Sequence, residues 1–260
     1  YEKEISHERL IYDSFYKAPV GIRERFFSFL KFRLIRTATT DLWHKMSYDE
    51  RRNYFLNARA VFFNRLIAWG SARKFLRFFD YHFVGDSGFG AVLEKHRPDI
   101  VFLTHLFDDA EVSLLREARK RGIQTIGFIN SWDKLTARCS LRLLPDTLIV
   151  FNEIVKKEAM KYADMPAAKI IVCGIPQYDR YITDIPTSRK EFFKENGLDP
   201  GKHLILYSPR GIKFSLSDWA MIDFLHEAVS HGEIVNAQLA ARFPPNDFLD
   251  EKELEKRPWL

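Results

Sequence analysis

At 260 residues, 46% hydrophobic and 29% charged, the chain is too apolar for a disordered segment and long enough for two domains. Two cysteines, Cys139 and Cys173, exclude a disulfide framework and lack metal-site spacing, which suits a reducing cytoplasm. The net charge of +5 is unevenly spread: residues 21–80 hold 13 Lys and Arg against 5 Asp and Glu, a net of +8. No apolar run approaches the roughly 18 to 20 residues of a membrane span, and no signal peptide is visible at Tyr1. A start without Met on a charged stretch leads us to expect a segment of a longer protein.

In chain order, residues 1–20 are ambiguous, although "RLIYDSFY" has strand composition. Residues 21–36 have helical composition, yet their apolar and basic residues do not separate around a helical wheel. "MSYDERRNYFLNARAVFFNRLIAWG" predicts a better helix. Ser47 caps it, Asp49 and Glu50 sit in its first turn, and Gly70 stops it. Another helix is expected over 71–80. The segment 21–85 thus reads as helical, basic and rich in Phe and Trp. Such a surface suits an anionic or amphipathic partner, and we expect an anionic membrane surface there.

After Gly85 the pattern changes. "DIVFLTH" (99–105), "QTIGFIN" (124–130), "TLIVFN" (147–152) and "KIIVCG" (169–174) are short apolar runs that recur every 22 to 25 residues. Helices are expected between them at 108–122, with Ala110, Leu114, Leu115 and Ala118 on one face, and at 153–165. That alternation predicts parallel strands with crossovers, half of a doubly wound α/β sheet. Residues 174–202 carry three prolines and a short helix ending at Gly197. A second βαβ unit then begins with "HLILYS" (203–208), a helix (217–232) and "NAQLAARF" (236–243).

Ligands of open parallel sheets bind beyond the carboxyl ends of the strands. That rule groups the loops 105–109, 130–135, 152–153, 174–179 and 208–214. In "IGFINSWDKLTARC" the chain leaves the core and at once presents Asn130, Ser131, Trp132, Asp133 and Lys134. Asp133 is a candidate general base, or else a turn or cap residue. His105 is a second candidate base or hydroxyl ligand, against a hydrogen-bonded packing role. Trp132 either stacks on a sugar or belongs to the core; Lys134 either holds phosphate or is solvated. Asp108 and Asp109 read as helix caps and give little support for a metal. In "SPRG", Arg210 can pair bidentately with a phosphate and Gly211 permits close backbone approach, against a plain turn with a surface Arg. No GxGxxG, GxxxxGK[ST] or GxSxG is present, so dinucleotide, P-loop and α/β-hydrolase sites have no motif support.

The segment 131–181, with its Ser-Trp-Asp loop, "PDTLIVFNE" and "GIPQYD", resembles bacterial surface-polysaccharide glycosyltransferases of GT-B architecture. It also resembles the related CDP-glycerol glycerophosphotransferases. "ILYSPRG" and "ARFPPND" look like the start of their donor-binding half, and the likeness spans about residues 97–247. One departure is Pro244, which follows Arg242 and Phe243 where relatives often have Arg-x-His-Pro. The resemblance implies two Rossmann-like domains. Residues 1–180 would be the acceptor side, and 181–260 the beginning of a nucleotide-sugar-binding domain. It places Asn130, Ser131, Trp132 and Lys134 in an acceptor wall with Asp133 and His105 as catalytic groups. Gly174, Gln177, Ser208, Arg210, Gly211 and Arg242 fall on the donor side. Neither a metal nor a cofactor is implied.

The function expected is transfer of a sugar from a nucleotide-activated donor to a cell-surface glycan or lipid-linked saccharide, at the cytoplasmic membrane face. Rivals on the same fold are glycerophosphotransfer from CDP-glycerol and UDP-sugar 2-epimerisation. The non-enzyme rival is a sugar-nucleotide-binding or scaffolding protein with a degenerate second domain. Nucleic acid is not an expected partner, because the excess charge sits in one aromatic segment and no nucleic-acid motif is present.

Overall fold

The computed structural model describes residues 13, 21–51, 54–85, 88–184, 186–211, 217–244 and 251–260. The run "RLIYDSFY" lies outside them apart from Asp13. The chain is mixed α/β and divides into two compact units, Tyr1–Gln177 and Tyr178–Leu260.

The first unit opens with five helices: α1 (Ile22–Lys31), α2 (Ala38–Arg51), α3 (Tyr54–Ile67), α4 (Gly70–Phe83) and α5 (Phe89–His96). The expected start at Ser47 is wrong, since Ser47 lies inside α2. The cap lies ten residues earlier, at Thr37 before α2. Thr37 Oγ1 accepts from the Thr40 N–H at 3.1 Å, and Thr40 Oγ1 accepts from the Thr37 N–H at 2.8 Å, a reciprocal cap that outcompetes the later serine. Gly70 does not stop a helix but begins α4, behind an extended Trp69. Helix α5 was not expected from the sequence.

The four apolar runs form β1 (Ile100–Leu103), β2 (Gln124–Phe128), β3 (Thr147–Val150) and β4 (Ile170–Val172). They make one parallel sheet in the order β1-β2-β3-β4. Between them lie α6 (Asp109–Lys120) and α7 (Glu153–Tyr162). Sequential order with right-handed crossovers puts every connection on one face. Packing agrees: Val101, Leu103, Leu148 and Val150 share a core with Leu115, Ala118, Val155 and Ala159 of α6 and α7. On the other face Ile100, Phe102 and Ile171 are about half exposed. A doubly wound sheet carries helices on both faces; among the described residues α6 and α7 share one. The core face of α6 is also turned from the expected one: Val112 and Arg116 are buried, while Ala110 and Leu114 are partly exposed.

Gly127 sits where the loop after β1 and the connection before β3 close on β2. A Cβ there would lie 2.6 Å from Leu106 Cδ1 and 2.9 Å from Pro145 Cγ. Leu106 is buried and cannot swing aside, so Gly127→Ala should cost about 1 to 3 kcal/mol, the range of core overpacking. Chemical denaturation checks this; an unchanged midpoint would mean that the loop before β3 gives way freely.

The helical layer is held to the sheet by charge. Arg142, in the connection before β3, donates to both oxygens of Asp80 at 2.8 and 3.0 Å, to Asp109 at 3.0 Å and to Glu24. Arg116 is fully buried and reaches Asp80 at 2.7 Å and Glu24 at 3.4 Å. Lys31 donates to Asp109 at 2.8 Å and to the Phe107 carbonyl at 3.0 Å. Nearby, Asp164 accepts from Arg73 at 2.7 and 2.9 Å and from Arg77 at 2.7 Å. Burial pushes Asp109 and Asp164 up, but the hydrogen bonds from Lys31 and Ser28, and from Arg73 and Arg77, outweigh it and hold both carboxyls below their ordinary range. Of the two expected caps, only Asp108 serves, accepting from the Ala110 N–H at 2.7 Å. Asp109 turns inward to the network instead.

The second unit holds α8 (Arg180–Thr183), α9 (Arg189–Glu195), β5 (His203–Tyr207), α10 (Asp218–Ser230), β6 (Ala237–Ala241) and α11 (Glu251–Glu255). Ser188 and Glu191 form a capping box on α9, and Gly197 follows it with φ +64°. β5 and β6 are parallel, so this unit contains one βαβ turn.

Candidate functional site at the carboxyl edge of the first sheet

Parallel pairing brings the ends of β1 and β2 to one edge. Beyond β1, the Glu111 carboxylate in the first turn of α6 takes the His105 N–H at 2.6 Å and the Thr104 hydroxyl at 3.0 Å. Those bonds end the ladder at Leu103 and fix His105 at the edge. Beyond β2, Ile129 is fully buried, and Leu135 returns to the core at 2% exposure. The five residues between are held out as a bridge.

After Asp133 the chain makes a single π-helical turn, Lys134–Arg138. The Asp133 carbonyl accepts from the N–H groups of Ala137 at 2.8 Å and Thr136 at 3.2 Å. The helical layer braces this turn, because the Thr37 hydroxyl donates to the Thr136 carbonyl at 2.6 Å. Such turns widen the backbone spiral and recur at functional sites; nothing in the sequence signals this one.

His105 and Lys134, 29 residues apart, meet here with Nε2 and Nζ 2.8 Å apart. An ammonium only donates, so His105 Nε2 accepts and the ring proton resides on Nδ1. That Nδ1 is buried and has no hydrogen-bond partner, and neither does Asn130 Oδ1. Buried polar atoms are nearly always paired, so the edge keeps one donor and one acceptor in reserve. Asp133 is exposed and accepts a hydrogen bond from the Ser131 hydroxyl; its side chain caps no backbone N–H of the π-turn. Trp132 is not core: its side chain is 71% exposed. The edge thus presents a carboxylate, an indole face, an imidazole and an ammonium on adjacent loops. A carboxylate so placed can take a proton from a hydroxyl, and an exposed indole can stack on a sugar or other flat apolar face.

The loop after β3 is used structurally, since Asn152 caps α7 by accepting from the Val155 N–H at 2.9 Å. After β4, Gly174 has φ +84° and donates to the Phe151 carbonyl at 3.0 Å, while Gln177 is exposed.

In the second unit, Ser208, Arg210 and Gly211 follow β5, and Arg242 follows β6, so both arginines sit at the carboxyl edge of that sheet and both are exposed. Gly211, expected to permit close backbone approach, donates its N–H to Asp218 at 3.1 Å. Tyr207 gives its hydroxyl to the other oxygen of Asp218 at 2.8 Å, which pushes the phenol's pKa up. Asp218 starts α10 and was missed by the sequence reading; only its place in the first turn hinted at it. Residues 212–214 of the expected loop lie outside the described residues.

Among the described residues no cluster of three or more His, Cys, Asp or Glu has metal-binding geometry, and no helix is long and apolar enough to cross a membrane. No family model matches the chain, and no curated protein is significantly similar to it.

Proposed function

We propose that the chain is part of a transferase of the two-domain, nucleotide-sugar-dependent kind, peripheral to a membrane, whose acceptor meets the edge formed by His105, Asn130, Ser131, Trp132, Asp133 and Lys134. The observation that carries the reading is the pair of buried, unpartnered atoms, His105 Nδ1 and Asn130 Oδ1, beside the exposed Asp133 carboxylate and an exposed indole. Asp133 is the acceptor's base, Trp132 its platform, and Lys134 fixes the tautomer of His105. Arg210 and Arg242 take the donor's diphosphate, with Gly174 and Gln177 on the segment that leads to that half.

Asp218 tempers donor binding, because its carboxylate holds the backbone N–H that would face an anion. We expect the 260-residue chain to bind UDP, CDP, GDP and CMP weakly and without base preference, and to transfer no sugar. Asp218→Asn should tighten diphosphate binding several-fold by removing one negative charge. Titration calorimetry with the four nucleotides tests both points. No heat with any of them, in either protein, would remove the donor half of the reading. Tight binding of one base alone would show a donor site more complete than Arg210 and Arg242.

A further inference from the structure

Helices α1 and α4 are inverted relative to an ordinary surface helix. α1 buries Glu24 and Lys31 beside Phe27, and α4 buries Arg73 and Asp80. Their aromatic residues point away: Phe26 and Phe29 on α1, Phe75, Phe78 and Phe83 on α4, each between 47% and 63% exposed. The two helices lie side by side, with Arg23 donating to the Phe83 carbonyl at 3.0 Å and Arg73 to the Leu34 carbonyl at 3.4 Å. Arg116 and Arg142 each bind both Glu24 and Asp80, so the inner faces of α1 and α4 meet one network. Their outer stripes therefore project from one side of the first unit.

Folding also sorts the charges. The acids Glu24 and Asp80 are consumed inside. Among described side chains from 21 to 80, the exposed charges are Arg23, Arg25, Arg36, Lys45, Arg59, Arg65 and Lys74 against Asp41 alone. Of these, Arg23, Arg25 and Lys74 lie on α1 and α4, so the described exposed charges of these two helices within 21–80 are all basic. At the flank of this face lies a cleft of about 510 Å³ whose charged lining is Lys74, Arg77, His82, Arg119 and Lys169 with Asp146 and Asp164; Arg73 and Arg77 already pair Asp164, which leaves the cleft net basic.

We propose that the outer face of α1 and α4 docks on an anionic lipid bilayer. Exposed Phe side chains enter the interface, the surrounding Arg and Lys pair with lipid phosphates, and the cleft beside α4 seats one headgroup. Charge decides against a second copy of the same face, which would set Arg23, Arg25 and Lys74 against the same three cations. The inference deepens the membrane-peripheral part of the proposed function and rests on surfaces other than the loop edge, so its failure would leave the acceptor and donor assignments to their own tests.

The test is flotation of the 260-residue chain with vesicles of phosphatidylcholine alone and of equimolar phosphatidylcholine and phosphatidylglycerol, at low and high salt. Binding is expected to the anionic vesicles only and to weaken with salt. Replacing Arg25 and Lys74 together by Gln should lower partitioning by about 25-fold, at roughly fivefold per charge near the surface. Phe75→Ser with Phe26→Ser should abolish flotation while leaving the circular dichroism spectrum and melting midpoint of this folded chain unchanged, since both rings are exposed. Equal flotation with both vesicle types would overturn the proposal. So would full retention of binding by the Gln variant, or a serine variant that dissolves a dimer on size exclusion without changing flotation.

Discussion

Arg142→Met should lower the unfolding free energy by about 3 to 5 kcal/mol, the usual cost of removing one partner from a buried ionic group. Asp80, 2% exposed, loses two hydrogen bonds, and Glu24 and Asp109 lose one each. Methionine fills the volume but pairs with none of them. Arg116 still reaches Asp80 and Glu24, which keeps the loss within that range. Urea denaturation of both proteins measures it. A change below about 1 kcal/mol would show that water enters and pairs the three carboxylates, a cheaper outcome than leaving them buried and unpaired. The same network sets an acid limit. The folded pKa values of Asp109 and Asp164 are held below the ordinary carboxylate range, so their contribution is complete above about pH 4. It is lost as pH falls through the lowered values. Arg142→Met removes one of the cations that lower Asp109 and should move the acid unfolding midpoint upward.

Asp133→Asn should reduce transfer by about 10²- to 10⁴-fold, the range for loss of a positioned general base, in any form of the protein that turns over. The carboxylate is exposed, and its one side-chain partner is the Ser131 hydroxyl, so the melting midpoint should stay where it is. Asparagine keeps an oxygen to accept from Ser131 and leaves the π-turn's backbone bonds intact. If activity falls only in step with stability, Asp133 is a turn residue and the base must be sought at His105. If turnover is unchanged, the acceptor's proton is lost without help from this loop.

The strands were legible because each is a short apolar run between turn residues, and parallel pairing followed from their regular recurrence. Their ends were not. β1 stops at Leu103 although "TH" continues the pattern, because Glu111 captures the next backbone N–H, and nothing local marks a glutamate one helical turn ahead as a strand terminator. The helical layer was least legible. Charge faces water in most surface helices, yet Glu24, Lys31, Arg73 and Asp80 each have partners at long sequence separation. The missing wheel pattern in residues 21–36 was a true signal of that inversion. At the loop edge, the sequence grouped Asn130 to Lys134 and His105 correctly by edge, because strand direction alone determines it. It had no means of pairing His105 with Lys134 or of placing Asp218 against Gly211, since both depend on loop conformation.

The ties between the helical layer and the rest span long stretches of chain: Arg142 lies 62 residues after Asp80 and 118 after Glu24. A ribosome releases α1 to α4 first, with their acids and arginines still without partners, and Arg116 and Arg142 emerge only afterwards. The strands have no such wait, because each pairs with its immediate successor and closes a short loop. The helices therefore cannot complete their inner contacts until Arg142 is delivered by the segment that leads into β3. During that interval the aromatic outer stripes and the charged inner faces are both bare. The nascent helical segment is then the part of the molecule most in need of a chaperone or a membrane to rest on.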